Sequence, residues 1–267
     1  MSIDRQPGGV AALRQRADRL PVLPREELRL AATELGIGSI EGSLALRMLG
    51  AGLPLARDCA RGGWLVAGDP GPALATIACW LHANQLCSHW RDELLDVVDT
   101  EGRPVARIER AAARALGIAT HAVHLVGTAP DGRWWIQQRA HDKAIDPGLW
   151  DTLVGGLVAA GESIADTLIR ETGEEAGLAI ADLHCLRPAD RLTVRRPVED
   201  GYMIEHIEVY EAKVPVALVP VNRDGEVERF ECVATATLIE RLEGDAFTLE
   251  AALILFGALE RRGLLST

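Results

Sequence analysis

The sequence predicts an α/β chain of two units, a smaller α+β unit over residues 1–92 and a larger one over residues 93–267. Three observations lead there. At ~150 residues per domain, 267 residues allow about two domains. A composition 48% hydrophobic and 25% charged belongs to a globular protein with a sizeable core. From residue 93 onward, strand-like runs bounded by turn signals surround one well-capped helix.

The first unit is rich in Ala, Leu and Arg from residue 13 to about 90, with helical spacing over residues 26–35 and 72–86. Gly-rich stretches at 36–42 and 62–71 read as turns. His82 and His89 could share a helix face, but without a third ligand they read as ordinary histidines. Trp64, Trp80 and Trp90 read as packing residues.

The boundary is placed near residues 90–93, where the pattern turns to β. Residues 93–110 form two β-rich pieces around the turn Asp99-Thr100-Glu101-Gly102. Strands over 121–127 and 133–139 follow, joined by Ala129-Pro130-Asp131-Gly132. After Pro147 and Gly148 comes a strand over 150–154, then Gly155-Gly156, read as a tight loop. The clearest helix has Ser163 as N-cap, Asp166 three residues on, and Gly177 as C-terminal cap. Ala165, Leu168, Ile169, Thr172 and Ala176 make its apolar stripe, and Gly173 costs it about 1 kcal/mol relative to Ala. Strands over 192–195, 202–214 and 230–234 and a helix over 249–262 close the chain.

Charge and cysteine usage narrow the function classes. Thirty-nine acidic against twenty-eight basic side chains give a net charge of -11, which repels nucleic acid backbones and anionic lipid. The five cysteines contain no C-x-x-C pair and read as reduced thiols. No apolar run has the ~18 residues of a bilayer span, and the leader lacks a signal-peptide core, so the expectation is a cytoplasmic protein with no membrane partner.

On the capped helix, Glu171, Glu174 and Glu175 are three and four residues apart, so their carboxylates share one face. Like charges at that spacing repel, and either solvent or a hard cation such as Mg²⁺ or Mn²⁺ relieves the repulsion. The wider spacing decides between the two. Gly156, Glu162, Arg170, Glu171, Glu174, Glu175 and Gly177 fill all seven fixed positions of G-x5-E-x7-R-E-U-x-E-E-x-G-U, U being apolar. At a chance of about one in ten per position, such a match arises by accident roughly once in 10⁵ chains of this length. Thr172 departs from the pattern at one U position, and Leu178 fills the other.

These residues resemble the Nudix box, and residues 93–262 resemble the Nudix hydrolase superfamily. The resemblance implies a mixed β-sheet sandwiched between helices and attack of water on a diphosphate linkage with Mg²⁺ or Mn²⁺. It implies that Glu171, Glu174 and Glu175 hold the metal, that Gly156 adds a backbone ligand, and that Arg170 and Glu162 brace them. Gly155 and Gly156 would leave room for substrate phosphates, and Arg139 and Lys143 stand where Nudix proteins often place phosphate-binding residues. A further glutamate often completes the metal or base set. Glu208, Glu226 and Glu228 compete for that place, with Glu208 counted as a metal ligand, and His206 beside it reads as a surface histidine.

Two Nudix subfamilies resemble the chain. The layout of residues 93–110 and the approach through Trp150 look like isopentenyl diphosphate isomerase, but that chemistry needs a cysteine and a histidine in a V-C-G-H segment. Here those positions read Val154, Gly155, Gly156 and Leu157, which disfavours isomerisation. The W-R-x-E-L segment (Trp90, Arg91, Glu93, Leu94), the Val154-Gly155-Gly156 approach and the PVNRDGEVERF stretch resemble the Nudix domain associated with thiamine pyrophosphokinase in yeasts. That resemblance implies conversion of thiamine diphosphate or its oxidised analogues to monophosphates. The leader would then be a lid, with Trp64, Trp80 or Trp90 stacking on a heterocycle. ADP-ribose or another nucleoside diphosphate derivative is the competing substrate, and a non-catalytic nucleotide sensor the competing class, opposed by retention of all three glutamates. A small-molecule diphosphate is the expected partner, and a homodimer the common assembly of the family.

Overall fold

A computed structural model of the chain describes residues 9–99 and 101–265; Thr100 of the first expected turn and the first eight residues of the leader lie outside them. The first unit contains α1 (Val10–Ala17), β1 (Arg25–Leu30), β2 (Gly36–Glu41), α2 (Gly42–Gly50), β3 (Leu55–Arg57), β4 (Trp64–Val66) and α3 (Pro70–Ala83). Its four strands form a sheet in the order β2-β1-β4-β3, with β1 and β4 parallel and the other pairs antiparallel. The helical spacing over residues 26–35 is therefore misleading: this segment carries β1. In REELRL the buried positions Leu28, Arg29 and Leu30 are consecutive, so the strand shows no clean alternation. Of the glycines read as turns, Gly36 and Gly38 lie in β2 and Gly42 opens α2, whereas Gly62, Gly63 and Gly68 do turn the chain on either side of β4. Gly38 packs so closely on Leu116 that a Cβ there would lie 2.5 Å from its carbonyl oxygen. The expected helix over 72–86 is α3, started by the Asp69 side chain accepting from Gly71 N–H.

A hairpin of β5 (Leu94–Val98) and β6 (Pro104–Glu109) and the short α4 (Arg110–Ala113) lead into the second unit. The latter contains β7 (Thr120–Thr128), β8 (Trp134–Arg139), β9 (Trp150–Asp151), β10 (Val154–Leu157), α5 (Ile164–Ala176), β11 (His184–Val198), β12 (Gly201–Lys213), β13 (Val227–Val233), α6 (Thr235–Glu243) and α7 (Leu249–Arg261). The sheet order is β11-β12-β7-β8-β13, with β12 and β7 parallel. β7 and β8 pair only at Gly127 and Thr128; beyond that they part, and β10 takes the free side of β7 while β9 takes that of β8. The glycines read as a tight loop, Gly155 and Gly156, thus lie inside β10, opposite His124 and Val123.

One face of this sheet buries Val123 and Leu125 under Leu168 and Ala176 of α5. The other buries Ala122, Ile207 and Val209 under α6 and α7. Leu13 and Ala17 of α1 join this second core, and Arg14 pairs with Glu260 of α7 at 2.9 Å. In the other direction Ile108, Leu116 and Ile118 enter the core built by β1, β4 and α3. The two cores thus exchange chain on either side of residue 92.

Candidate active site

The site is built on α5. Ser163 Oγ accepts from Asp166 N–H at 3.1 Å while Asp166 receives Ser163 N–H at 3.2 Å, a reciprocal cap. Gly177 ends the helix at φ 63. Thr172, the departure from the apolar pattern, is fully buried, and its hydroxyl has no hydrogen-bond partner among the described residues.

Arg170 is the centre of the acidic face. Its Nε and Nη2 reach the two carboxylate oxygens of Glu162 at 2.8 and 2.9 Å, and Nη1 reaches Glu171 at 2.8 Å and Glu174 at 3.1 Å. Thr167 Oγ1 also donates to Glu162, at 2.9 Å. The arginine holds the Glu162 carboxyl below its usual range. Glu171 lies against Gly156, where a Cβ would come within 2.0 Å of its Oε1, so only glycine leaves this cradle open. Burial pushes the Glu171 carboxyl up to about 7, against the pull of Arg170 and with added repulsion from Glu174 and Glu226.

Glu175 points elsewhere. It is 4% exposed, and its Oε2 accepts from Gly155 N–H at 2.9 Å and from Gln137 Nε2 at 3.0 Å. Burial pushes its carboxyl up to about 8; the two donors lower it, and Glu171 and Asp151 raise it. Behind Gly155, His124 Nδ1 lies 2.9 Å from Thr152 Oγ1 and 3.6 Å from Asp151. Thr152 Oγ1 donates to the Val154 carbonyl at 2.8 Å, so it accepts the proton of His124 Nδ1. Burial lowers the pKa of His124 and keeps it neutral.

The structure brings Glu162, Arg170, Glu171, Glu174, Gly155, Gly156 and Glu175 together but does not focus the three glutamates on one point. Among the described residues, no three His, Cys, Asp or Glu side chains are arranged as a metal site. Glu208 shares a cross-strand row with Val123 and Gly156, on the sheet face that carries α5, and its carboxylate pairs with Arg191 at 2.5 Å. Of the three competing glutamates, Glu226 is the one whose charge acts on Glu171. It is paired with Lys143, which, against the effect of burial, holds it below its usual range. Arg139 spends its guanidinium on the Ile145 carbonyl, at 3.0 Å, and on Asp151, at 3.5 Å, so it braces the loop after β8. Trp64 is 2% exposed in the first core and presents no face for stacking, whereas Trp80 and Trp90 are half-buried.

Gln137, His124 and Asp151 escaped the sequence reading because no motif marks them; they meet only where β7 and β8 part. A second acidic pair lies under the start of α7. Glu205 receives Thr120 Oγ1 at 3.4 Å, and Glu250 pairs with Arg196 at 3.4 Å. Burial, with repulsion from Glu250, pushes Glu205 up to about 7.

With this geometry established, comparison with known proteins gives a consistent result. The sequence model of the NUDIX domain matches residues 119–252, just over half the chain. Nudix hydrolase 20, chloroplastic, of Arabidopsis thaliana is 32% identical over 66% of this chain and 48% of its own length. An isopentenyl-diphosphate Delta-isomerase of Burkholderia multivorans is 31% identical over 59% of this chain and 88% of that protein. The crystal structure of DR0079 from Deinococcus radiodurans aligns with 58% of this chain and 92% of that one, at 24% identity and a TM-score of 0.48. The chain spans about half the length of the Arabidopsis relatives it matches.

Proposed function

The chain belongs to the NUDIX domain family, and from that membership we propose that it is a divalent-metal-dependent hydrolase of a diphosphate linkage. The observation that carries the reading is the packing of Glu171 and Glu175 onto Gly156 and Gly155 of one strand, in a box with every fixed position filled. The donors fit a hard cation. Among the described residues the buried Glu175 carboxyl, pushed up to about 8, has no cationic partner, Glu171 stays up at about 7 in spite of Arg170, the Gly156 cradle would be closed by any Cβ, and the Gln137 Oε1 atom is buried without a partner. Glu171, Glu174 and Glu175 would hold Mg²⁺ or Mn²⁺, with the Gly156 backbone beside them. A bound divalent cation supplies neutralisation of the diphosphate charge and acidification of water.

The chain's own residues prepare that site. Glu162 and Thr167 anchor Arg170, and Arg170 in turn orients Glu171 and Glu174. Burial holds the Glu175 carboxyl up at about 8, and a bound cation would favour its carboxylate form. Lys143 keeps Glu226 ionised, which suits that carboxylate to attract a cation rather than to take a proton.

For the substrate, the resemblance to the thiamine-pyrophosphokinase-associated Nudix domain favours thiamine diphosphate or its oxidised analogues, cleaved to monophosphates. The hairpin supports a lid or wall role for the first unit, because it joins that unit's core through Val97 and Ile108 while Ala160 N–H donates to the Leu94 carbonyl at 2.8 Å and Gly161 N–H to Asp96 at 2.7 Å, just before α5. Trp80 and Trp90 are the aromatic faces left for a heterocycle. Isomerisation is opposed by geometry as well as by sequence, since His124 fills the space a cysteine side chain at 155 would need. Five free thiols suit a reducing compartment such as the cytoplasm.

The test is a phosphate-release screen with Mg²⁺ and with Mn²⁺ against thiamine diphosphate, its oxo analogues, ADP-ribose, dinucleotides, nucleoside triphosphates and isopentenyl diphosphate. Products are weighed by mass spectrometry. Preferred release of a monophosphate from the thiamine compounds supports the full reading. A wide preference for ADP-ribose removes the substrate assignment, and binding without turnover removes the enzyme.

A further inference from the structure

We infer that Gln137 is a positioning residue for Glu175, clamping one carboxylate oxygen so that the other faces the cation. The inference rests on the divalent-cation reading above. Gln137 lies on β8 between Phe230 of β13 and Asp151 of β9, so its backbone is fixed from both sides, and its side chain is only 2% exposed. Its Nε2 and the Gly155 N–H converge on the same atom, Glu175 Oε2, at 3.0 and 2.9 Å. Two donors on one oxygen fix the carboxylate plane and leave Oε1 as the oxygen available to an ion.

The choice of an amide follows from charge. A lysine or arginine at 137 would neutralise Glu175 and compete with the ion, and an acid would repel a carboxylate already crowded by Glu171 and Asp151. Glutamine supplies a donor with no net charge. Against the carboxylate form of Glu175, the form that would hold a cation, the reversed amide would set oxygen against oxygen, so the amide donor is the group that must face it. In this orientation Gln137 Oε1 is buried without a hydrogen-bond partner among the described residues. Such a buried acceptor is uncommon, and a water carried by a hydrated cation would supply the donor it lacks.

The test uses the full chain carrying Gln137→Met, which keeps the volume and removes both polar atoms, with Gln137→Leu as a second apolar version. Mn²⁺ is titrated with detection of the free ion by electron paramagnetic resonance, and the Gly155 amide is followed by NMR in EDTA. In either variant the Mn²⁺ Kd should rise about 10- to 100-fold, and the metal-free Gly155 resonance should move. In a Glu175→Gln background the same substitution should change Mn²⁺ affinity by less than about twofold, because the two side chains act as one unit. A purely structural role would instead add its full effect there, which overturns the inference. Wild-type affinity with an unmoved Gly155 resonance overturns it too, and leaves the cation reading intact. A wild-type chain that binds no Mn²⁺ defeats both.

Discussion

The imidazole of His124 lies directly behind Gly155: a Cβ at position 155 would come within 2.6 Å of its Cε1 and 2.7 Å of its Nδ1. His124 cannot easily retreat, being buried and bonded to Thr152. Gly155→Cys, the substitution that restores the isomerase-like residue, should therefore destabilise the fold by about 1–3 kcal/mol through overpacking. It should also shift the Gly155 N–H away from Glu175. Thermal unfolding and an isomerase assay check this; a stable variant that isomerises isopentenyl diphosphate contradicts it.

Glu174 is the most exposed of the three box glutamates, and its pairing with Arg170 at 3.1 Å is of the kind that contributes little to stability. Glu174→Gln should accordingly lower turnover by at least about 100-fold and leave the melting temperature unchanged or raised. Steady-state rates with Mg²⁺ and a calorimetric scan measure the two effects separately. Full activity would remove this residue from the metal set.

Thr172 occupies an apolar position of the box with a hydroxyl that has no partner among the described residues. Removing such a buried polar group relieves a penalty of about 1 kcal/mol or more. Thr172→Val should raise the melting temperature by about 2–4 °C for a chain of this size, with kcat unchanged. A lower melting point would show that the hydroxyl is satisfied in solution.

Glu205 gives a pH dependence with a defined sign. Its carboxyl moves from an ordinary 4.5 to about 7, driven by burial and then by Glu250, against Arg114, Arg110 and Arg196. Between those values the folded chain holds a proton that the unfolded chain has lost. The stability linked to Glu205 is thus full below about pH 4.5 and is lost as pH rises toward 7. Glu205→Gln should flatten this decline, so the variant gains on the wild type as pH rises from 5 to 8 in EDTA. Parallel melting curves that keep a constant separation would refute it.

The sequence made the reactive helix legible because its signals are local: a cap at Ser163, a stop at Gly177 and fixed charges between them. The strands β7, β12 and β13 and the helix α7 were legible for the same reason. Residues 26–30 were not, since β1 has no periodicity that separates it from a helix. Gly155 and Gly156 were misread as a turn because glycine tolerates both a tight bend and a close approach, and only the neighbours His124 and Glu171 reveal the second use. Gln137, Asp151 and Glu226 come from three segments whose meeting depends on where β7 and β8 separate, a long-range event that no short window contains.

The pairing of Arg14 with Glu260 spans 246 positions of chain. At a synthesis rate of about 5–20 residues per second, roughly 12–50 s pass between the emergence of one partner and that of the other. During that interval Leu13 and Ala17, buried in the finished molecule, lack the part of their cover that α7 provides. The packing of α1 is therefore complete only once α7 has been made. A chaperone or a protease would find its handle there.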